Sequence, residues 1–412
     1  MRTPDMANGD DALAAGMDIV RSTDDRRQGY DEDNKTRDYI ARMREDLADV
    51  STQTIVEDSP VAVGRNAKFT TLPAWWRALQ RSLLNNGPAR ILCVGDSTTA
   101  GVYSDSFTTA PGTTNQGGPN SYPARLAARL TALGIPALYA MSVPGHAGND
   151  DSRWNRGPFG YVSAGVGAGG NAGLELSGAG SCTYTPDVAA NQFFVYFFGD
   201  TGTGTITAQA TGGSAVAINT QRATPGIYRQ LVTAGSVSAG NVLTITRTAG
   251  TSFVAGVEIA DSTRPNIVRV LNAGVGGSQA DHWANKAGNN TFGGRAFITA
   301  VQADLTLISL GINDIENGRT VAQIITDTDA LIATARAAGG DAAVVSAFPH
   351  SAPSQVDALN AYHRTRTVPL IDLAHRYGNR MTEFGFMTTD GTHPNALGYA
   401  DAAMLIASTI TT

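Results

Sequence analysis

Four short segments of this sequence carry the residue types that transfer an acyl group to a serine. Each follows an apolar run of the kind that forms a buried strand. The segments are Gly95-Asp96-Ser97-Thr98-Thr99, Asn272-Ala273-Gly274-Val275-Gly276-Gly277-Ser278, Gly311-Ile312-Asn313-Asp314 and Asp390-Gly391-Thr392-His393-Pro394. A serine becomes a good nucleophile only when a base takes its proton, and a neutral histidine needs an acceptor that fixes its tautomer. Together with amide donors for an oxyanion, these residues predict serine acyl transfer.

Apolar runs and helical spacings alternate around these segments and indicate how the segments are positioned. The apolar runs are 90–94, 267–271, 305–310, 342–348 and 368–373, and the helical spacings lie at 121–134, 321–338 and 394–410. Strands that alternate with helices predict a parallel sheet that is covered on both faces. Ligands bind beyond the carboxyl ends of such strands, which is where all four segments lie.

The stretch from 138 to 265 differs from its surroundings in composition and in the spacing of its apolar residues. It is rich in Gly, Thr, Ser and Ala, and short β-prone runs such as Phe193–Phe198 and Val242–Arg247 recur between turn residues. This pattern is typical of an antiparallel β-sandwich. We therefore expect an inserted β-sandwich domain over 138–265, which divides an α/β domain into the parts 61–137 and 266–412.

The charged residues are concentrated at the N-terminus. Residues 1–50 contain 8 Lys and Arg and 13 Asp and Glu, whereas the other 362 residues contain 22 and 23. Neither part has more basic than acidic residues, which argues against nucleic-acid binding by phosphate neutralisation. Because the sequence has no run of about 18 apolar residues and no basic start before an apolar stretch, it predicts neither membrane insertion nor a signal peptide.

The N-terminal segment 1–60 also contains an amphipathic pattern. Ile40, Met43, Leu47 and Val50 recur at helical spacing in a charged background, which predicts a helix with one apolar stripe. Such a helix could pack on its own body, belong to a flexible tail, or serve as an attachment or oligomerisation arm. We expect a helical arm of the last kind and a homo-oligomer.

The cysteines and the other histidines suggest no further chemistry. Cys93 and Cys182 are far apart and are expected to be buried free thiols. No His, Cys and Asp residues have metal-ligand spacing, so we expect no metal and no other cofactor. His282 and Trp283 follow the glycine segment and could line the cleft or simply pack. The Asp314 side chain is expected to position the Asn313 loop through local hydrogen bonds.

The four segments resemble the blocks of the SGNH (GDSL-type) hydrolase family, which is named for its Ser, Gly, Asn and His. The resemblance covers about 85–137 and 266–412 and implies a three-layer flavodoxin-like fold with a parallel sheet. It makes Ser97 the nucleophile and His393 the general base, oriented by Asp390. The oxyanion hole is then formed by the backbone N–H groups of Ser97 and Gly277 and by the side-chain amide of Asn313.

Two details of the sequence bear on that assignment. Gly277 is preferred over its neighbours because the family pattern Asn-x-Gly-x-x-Gly falls on Asn272, Gly274 and Gly277. The interval between Ser97 and Gly277 is far longer than the family needs, and the inserted β-domain accounts for the excess. The first segment continues with Thr98 where the GDSL pattern has leucine, a change that resembles the carbohydrate-active branches.

The expected substrate follows from the polarity of the chain around Ser97. Aromatic residues make up only 7% of the sequence, and the loop 98–120 is polar. We therefore expect an esterase that removes small acyl groups, above all acetyl, from an acylated carbohydrate or cell-envelope ester. The inserted region resembles galactose-binding-like jelly rolls of carbohydrate esterases, which implies sugar binding. A purely structural wall for the cleft is the alternative.

A second resemblance concerns residues 10–18 and 24–38. They look like the opening of minor tail proteins from phages that infect actinobacteria. This implies a virion tail protein that acts on the host surface and binds other tail proteins through 1–60. Two other hypotheses remain open at this point: an inactive receptor-binding adhesin, and a bacterial esterase or acyltransferase without viral context.

Overall fold

The computed structural model describes residues 72–411, apart from 147, 164, 165, 171, 285–290, 349–352, 378 and 379. The predicted arm 1–60 lies outside the described residues, so its helix stays a prediction. The described strands, in chain order, are β1 (Ala89–Gly95), β2 (Ala137–Ser142), β3 (Gly145–His146), β4 (Asn149–Asp150), β5 (Trp154–Asn155), β6 (Gly160–Tyr161), β7 (Leu174–Leu176), β8 (Ser181–Tyr184), β9 (Ala190–Gly199), β10 (Thr205–Ala210), β11 (Val216–Asn219), β12 (Gly226–Ser238), β13 (Leu243–Ala249), β14 (Ser252–Ala260), β15 (Val268–Asn272), β16 (Leu305–Ser309), β17 (Asp341–Val345) and β18 (Leu370–Ile371).

The described helices fall mostly in the α/β part of the chain. They are α1 (Pro73–Leu83), α2 (Ser97–Ala100), α3 (Tyr122–Ala132), α4 (Ala280–Ala284), α5 (Gly294–Val301), α6 (Ile312–Glu316), α7 (Val321–Ala337), α8 (Pro353–Thr365), α9 (Leu373–Tyr377) and α10 (Ala396–Thr411). α10 packs against α3, and α7 packs against α4 and α5. None of the described helices is long and apolar enough to cross a membrane.

A parallel sheet in the order β2-β15-β1-β16-β17-β18 carries the predicted site segments. β1 lies in the middle, with Leu92 paired to Leu271 on one side and Val94 paired to Ile308 on the other. The residues of β1, β15 and β16 are almost all buried. Strands covered by helices on both faces bury both sets of side chains, which explains why these runs are continuously apolar.

The antiparallel region is joined to this sheet. Strand β14 pairs antiparallel with β2 through Val257 and Ser142, and β9 and β12 continue the same sheet beyond it. A second sheet has the order β11-β10-β13-β8-β5. Its buried residues Ile206 and Ile245 belong to the same hydrophobic core as the α/β part. The region therefore shares a sheet and a core with the rest of the described chain.

The expected boundary at residue 138 falls inside β2. This strand pairs in parallel with β15, so the first strand of the stretch 138–265 belongs to the parallel sheet. The sequence composition after β2 could not reveal this pairing, because composition does not determine which neighbour a strand pairs with. The division of the chain into domains stays a prediction.

The two cysteines are buried and free, as expected. Cys93 lies in β1 and Cys182 in β8. Burial raises the pKa of the Cys182 thiol to about 12 and raises the pKa of Cys93 as well. Because the thiolate is the reactive form, both groups are chemically inert at neutral pH.

Candidate active site

A tight turn between β1 and α2 presents Ser97. The Asp96 carboxylate caps the helix, since its Oδ1 accepts from the Thr98 backbone N–H at 2.9 Å and from the Thr98 hydroxyl at 2.8 Å. A Cβ atom on Gly95 would lie 1.9 Å from the Thr99 Oγ1 and 2.6 Å from the Ser309 carbonyl oxygen, so only glycine fits there. Ser97 is the first residue of α2, and its backbone N–H is one of the donors that a helix start leaves without an intrahelical partner.

Ser97, His393 and Asp390 form one hydrogen-bonded chain. His393 Nε2 lies 2.8 Å from Ser97 Oγ, and His393 Nδ1 lies 2.6 Å from Asp390 Oδ2. Asp390 Oδ1 accepts from the backbone N–H groups of Thr392 and His393 and from the Thr388 hydroxyl, at 2.7 to 3.0 Å. A spacing of three residues thus lets one carboxylate fix both the loop and the imidazole ring.

The hydrogen bonds to Asp390 keep it ionised. Burial by itself would raise the pKa of this carboxyl, but the bonds from the His393 ring, from the two backbone N–H groups and from Thr388 outweigh it and lower the pKa to about 2. The carboxylate is therefore charged at neutral pH. In this state it accepts the Nδ1 proton and leaves Nε2 free to accept from Ser97.

Two residues that sequence reasoning missed hold the histidine loop. Asn395 is fully buried, and its amide donates to the carbonyl oxygens of Thr108 at 3.0 Å and Gly385 at 2.7 Å. The Tyr103 ring packs edge-on against the His393 ring with centroids 5.1 Å apart, and its φ of 62° is a left-handed value that is uncommon for tyrosine. Asn395 follows the Asp-x-x-His-Pro segment and could have been noticed, whereas no sequence pattern pointed to Tyr103.

The glycine segment closes over the nucleophile turn. A Cβ atom on Gly274 would lie 2.2 Å from the Ala100 backbone nitrogen, so glycine is required where this loop meets α2. The Ser278 hydroxyl donates to the Gly95 carbonyl oxygen at 3.0 Å, and the Asn313 side-chain amide donates to the Ser278 carbonyl oxygen at 3.0 Å. These bonds tie the glycine loop to the nucleophile turn and the asparagine loop to the glycine loop; the oxyanion hole of Ser97, Gly277 and Asn313 stays a prediction.

Among the glycines of this loop, Gly277 has the most open surroundings. It has a φ of +70°, and no atom lies within 4 Å of where its Cβ would be. A Cβ on Gly276 would instead lie 2.8 Å from Asn149 Oδ1, and the Gly276 carbonyl oxygen accepts from His146 Nε2 at 2.8 Å. The space beside Gly277 is therefore open, and its role in the oxyanion hole stays a prediction.

Polar side chains surround the glycine loop. Besides His146 and Asn149, Gln116 lies beside it, with its Nε2 3.2 Å from the position of a Cβ on Gly276. Gln116 is 2% exposed, and within the described part of the chain neither atom of its amide has a hydrogen-bond partner. A buried amide of this kind needs a partner, which a polar substrate or an ordered water molecule can supply.

Asp314 fastens the asparagine loop to the glycine loop. It is fully buried, and its carboxylate accepts from the Ala280 backbone N–H at 2.9 Å and from Arg319 Nη1 at 2.6 Å. This is the positioning role expected for it. Trp283 is also fully buried, and its Nε1 donates to Ser278 Oγ at 3.2 Å, so it packs beneath the loop.

The Asp314 carboxyl is expected to make stability depend on pH. Burial raises its pKa from 3.8 to about 6, although Ala280 and Arg319 oppose the shift. Between pH 4 and 6 the folded chain holds this proton and the unfolded chain does not. The free energy of unfolding should therefore decrease as the pH rises from 4 to 6, by up to about 3 kcal/mol. Urea unfolding of wild type and Asp314→Asn across this range would measure it. An unchanged difference between the two proteins would contradict it.

Within the described residues, no group of three or more His, Cys, Asp and Glu side chains could hold a metal ion. The absence of a metal and of other cofactors stays a prediction. All the groups that serine acyl transfer requires are side chains and backbone N–H groups of the chain itself.

Comparisons with known proteins bear on the fold and on the family of part of the chain. Residues 248–400 match the GDSL-like lipase/acylhydrolase family. This segment contains Gly277, Asn313 and His393. Ser97 precedes it in the chain and contacts His393 in the structure. A solved peptidoglycan O-acetylesterase is 18% identical, covering 84% of this chain and 97% of that one, with a TM-score of 0.62. A carbohydrate esterase family 3 structure from Talaromyces cellulolyticus is 20% identical, covering 37% and 73%, with a TM-score of 0.29.

No curated protein matches the chain in sequence. The likeness to the peptidoglycan O-acetylesterase structure confirms the predicted α/β fold, and the family match covers the part of the chain that carries three of the four site segments. Residues 248–400 therefore match a GDSL-like lipase/acylhydrolase domain, and the chain is a carboxylic ester hydrolase.

Proposed function

We propose that the chain removes small acyl groups, above all acetyl, from esters of carbohydrates or of the cell envelope. One observation carries the catalytic part of the proposal. Ser97 Oγ, His393 and Asp390 are joined by contacts of 2.8 and 2.6 Å. This is the arrangement that activates a serine towards an ester carbonyl.

The reaction follows from these positions in two halves. Ser97 Oγ attacks the ester carbonyl carbon while His393 Nε2 takes the serine proton, and the oxyanion is bound by the N–H groups of Ser97 and Gly277 and by the Asn313 amide. The bond to the sugar oxygen then breaks, and His393 gives its proton to that oxygen. Water attacks the acyl-serine with His393 as base, which releases the acid and restores Ser97.

The polar surroundings of the site support a small acyl group on a polar alcohol. Gln116, Asn149 and His146 lie beside the glycine loop, and an apolar acyl chain there would leave the Gln116 amide without water or a partner. The fold is also that of a peptidoglycan O-acetylesterase, which supports a glycan ester as the substrate class.

A series of p-nitrophenyl esters from acetate to octanoate tests the acyl group, and acetate release from O-acetylated peptidoglycan and O-acetylated xylan tests the alcohol. We expect kcat/KM to be highest for acetate and to fall at least tenfold by octanoate. We also expect wild type, but not Ser97→Ala, to release acetate from one of the two polymers. A preference for octanoate, or activity on aryl esters without release from either polymer, would contradict the proposed substrate.

Replacement of Asn313 by alanine should lower kcat for p-nitrophenyl acetate by about 10² to 10³, with a smaller change in KM, because the amide stabilises charge that develops only in the transition state. Steady-state kinetics would measure both constants. Asn266→Ala is the matched control, since the Asn266 amide donates to the Asn85 carbonyl oxygen away from the site. A higher KM with an unchanged kcat would assign Asn313 to substrate binding instead.

We also propose that the chain acts as a phage tail component on the host surface, with 1–60 as its attachment arm. The support is the resemblance of residues 10–18 and 24–38 to minor tail proteins. Mass spectrometry of purified virions should find the protein, and deletion of 1–60 should abolish its incorporation while ester hydrolysis persists. Incorporation of the truncated protein at the wild-type level would overturn the attachment role.

A further inference from the structure

A groove of about 730 Å³ lies between the beginning of β12 and helix α5. This volume is within the range of roughly 300 to 1,000 Å³ that is common for ligand sites. Its lining includes Tyr228, Arg229, Arg295, Thr299, Gln302 and Thr334. None of the residues assigned to ester hydrolysis lines it, so the groove is a separate surface feature.

The groove carries two guanidinium groups and no carboxylate in its lining. Arg295 is oriented by a hydrogen bond from its Nε to Thr334 Oγ1 at 2.9 Å, and it forms no ion pair with any carboxylate among the described residues. Arg229 has 39% of its side chain exposed, and its nearest ion-pair partner, Glu258, is 3.8 Å away. Both positive charges are therefore available to a ligand.

A buried charge cluster adjoins the groove and adds to its positive potential. The Glu258 carboxylate is shared by three arginines, with contacts of 2.5 Å to Arg90, 3.1 Å to Arg269 and 3.8 Å to Arg229. Burial would raise the pKa of Glu258, but Arg90 and Arg269 outweigh it and lower the pKa. Arg90 also donates to the carbonyl oxygen of Gln302, which lines the groove, at 3.4 Å. One negative charge thus faces three positive ones.

The uncharged lining fits a carbohydrate. Arg229 pairs across the sheet with Tyr196, whose ring packs on Phe297 of α5, so Arg229 lies on the face that α5 covers, whereas Tyr228 stacks on Phe197 on the other face. Thr299 and Gln302 provide hydroxyl and amide groups. Hydroxyl and amide side chains of this kind can donate to and accept from the hydroxyl groups of a sugar.

We propose that this groove binds a segment of an acidic, carboxylate-bearing polysaccharide, with Arg229 and Arg295 pairing with its carboxylates. Arginine binds carboxylates through two parallel hydrogen bonds, which makes it suited to this task. Nucleic acid is disfavoured because residues 51–412 carry 22 basic and 23 acidic residues and offer no long basic surface for a phosphate backbone. The proposal does not depend on which ester Ser97 hydrolyses.

Isothermal titration of the full chain with polygalacturonate tests the groove, and dextran serves as the neutral polymer. We expect binding to polygalacturonate only, and at least a tenfold loss of affinity in the double variant Arg229→Gln/Arg295→Gln. Arg264→Gln is the matched charge control, because Arg264 is 51% exposed and pairs with Asp261 elsewhere; its affinity should equal that of wild type. All these proteins should hydrolyse p-nitrophenyl acetate at the wild-type rate, which shows that they are folded.

The possible contrary results are distinct. Absence of polygalacturonate binding by wild type, equal binding of dextran, or undiminished binding by the double variant would each overturn the proposal. Equally tight binding of double-stranded DNA would show a general attraction for polyanions and would overturn it too. Loss of ester hydrolysis in Ser97→Ala with unchanged polygalacturonate affinity is the expected sign that the two sites are independent.

Discussion

Replacement of Ser97 by alanine should lower kcat for p-nitrophenyl acetate by on the order of 10⁶, to the rate that binding and the oxyanion donors alone support. The reason is geometric. Ser97 Oγ is 2.8 Å from His393 Nε2, and without this oxygen the base has no serine hydroxyl to deprotonate. Single-turnover and steady-state assays with the purified variant would measure the loss.

The same variant should remain folded. Alanine is smaller than serine, and it keeps the backbone N–H that begins α2. Its thermal unfolding should therefore match that of wild type within a few degrees. His393→Ala should be about as inactive, and the double variant should lose little more, because the two residues act as a unit. Hydrolysis by Ser97→Ala at the wild-type rate would show that another nucleophile is used and would end the proposed mechanism.

Replacement of Asp390 by asparagine should cost about 10⁴ in kcat. An asparagine amide would present a donor to His393 Nδ1, which favours the tautomer with the proton on Nε2, and such a ring cannot accept the Ser97 proton. Since the pKa of Asp390 is lowered to about 2, the wild-type carboxylate stays charged across the usual assay range. Titration of Asp390 should therefore add nothing to the pH dependence of wild-type kcat between pH 6 and 9.

Asp372→Asn is the matched control for this experiment. Asp372 also accepts a backbone N–H and pairs with a cation, Arg364, at 2.6 Å, but it lies outside the site. Its loss should affect stability and leave kcat unchanged. If Asp390→Asn kept more than a tenth of the wild-type rate, the histidine would have to be oriented by another group.

The positions of the site residues could be predicted because they depend on local order along the chain. Ser97, Gly277 and Asn313 each follow a strand of one parallel sheet, and the carboxyl ends of such strands meet at one edge. Asp390 and His393 come together through a spacing of three residues, which needs no knowledge of the tertiary structure. The order of the segments along the chain was therefore enough to predict which of these residues lie near the carboxyl ends of the strands.

Other features depend on contacts between distant segments and could not be predicted. Val257 pairs with Ser142 across more than a hundred residues, and nothing in either strand identifies its partner. Tyr103 packs against His393, and the loop that carries it is tied to the histidine loop by the Asn395 amide and by the backbone N–H groups of Thr389 and Ala396. Sequence patterns report which faces of an element are buried, but they do not report which neighbour covers them.

The pairing of β14 with β2 has a consequence for how a long substrate could be handled. Because β12, β9, β14, β2, β15 and β1 follow one another in a single sheet, the spacing of neighbouring strands sets β12 about 24 Å from β1. A polymer bound at Arg229 would therefore lie at a fixed distance from Ser97. If the proposed polysaccharide binds there, the sheet fixes the distance between the bound segment and the ester that Ser97 attacks.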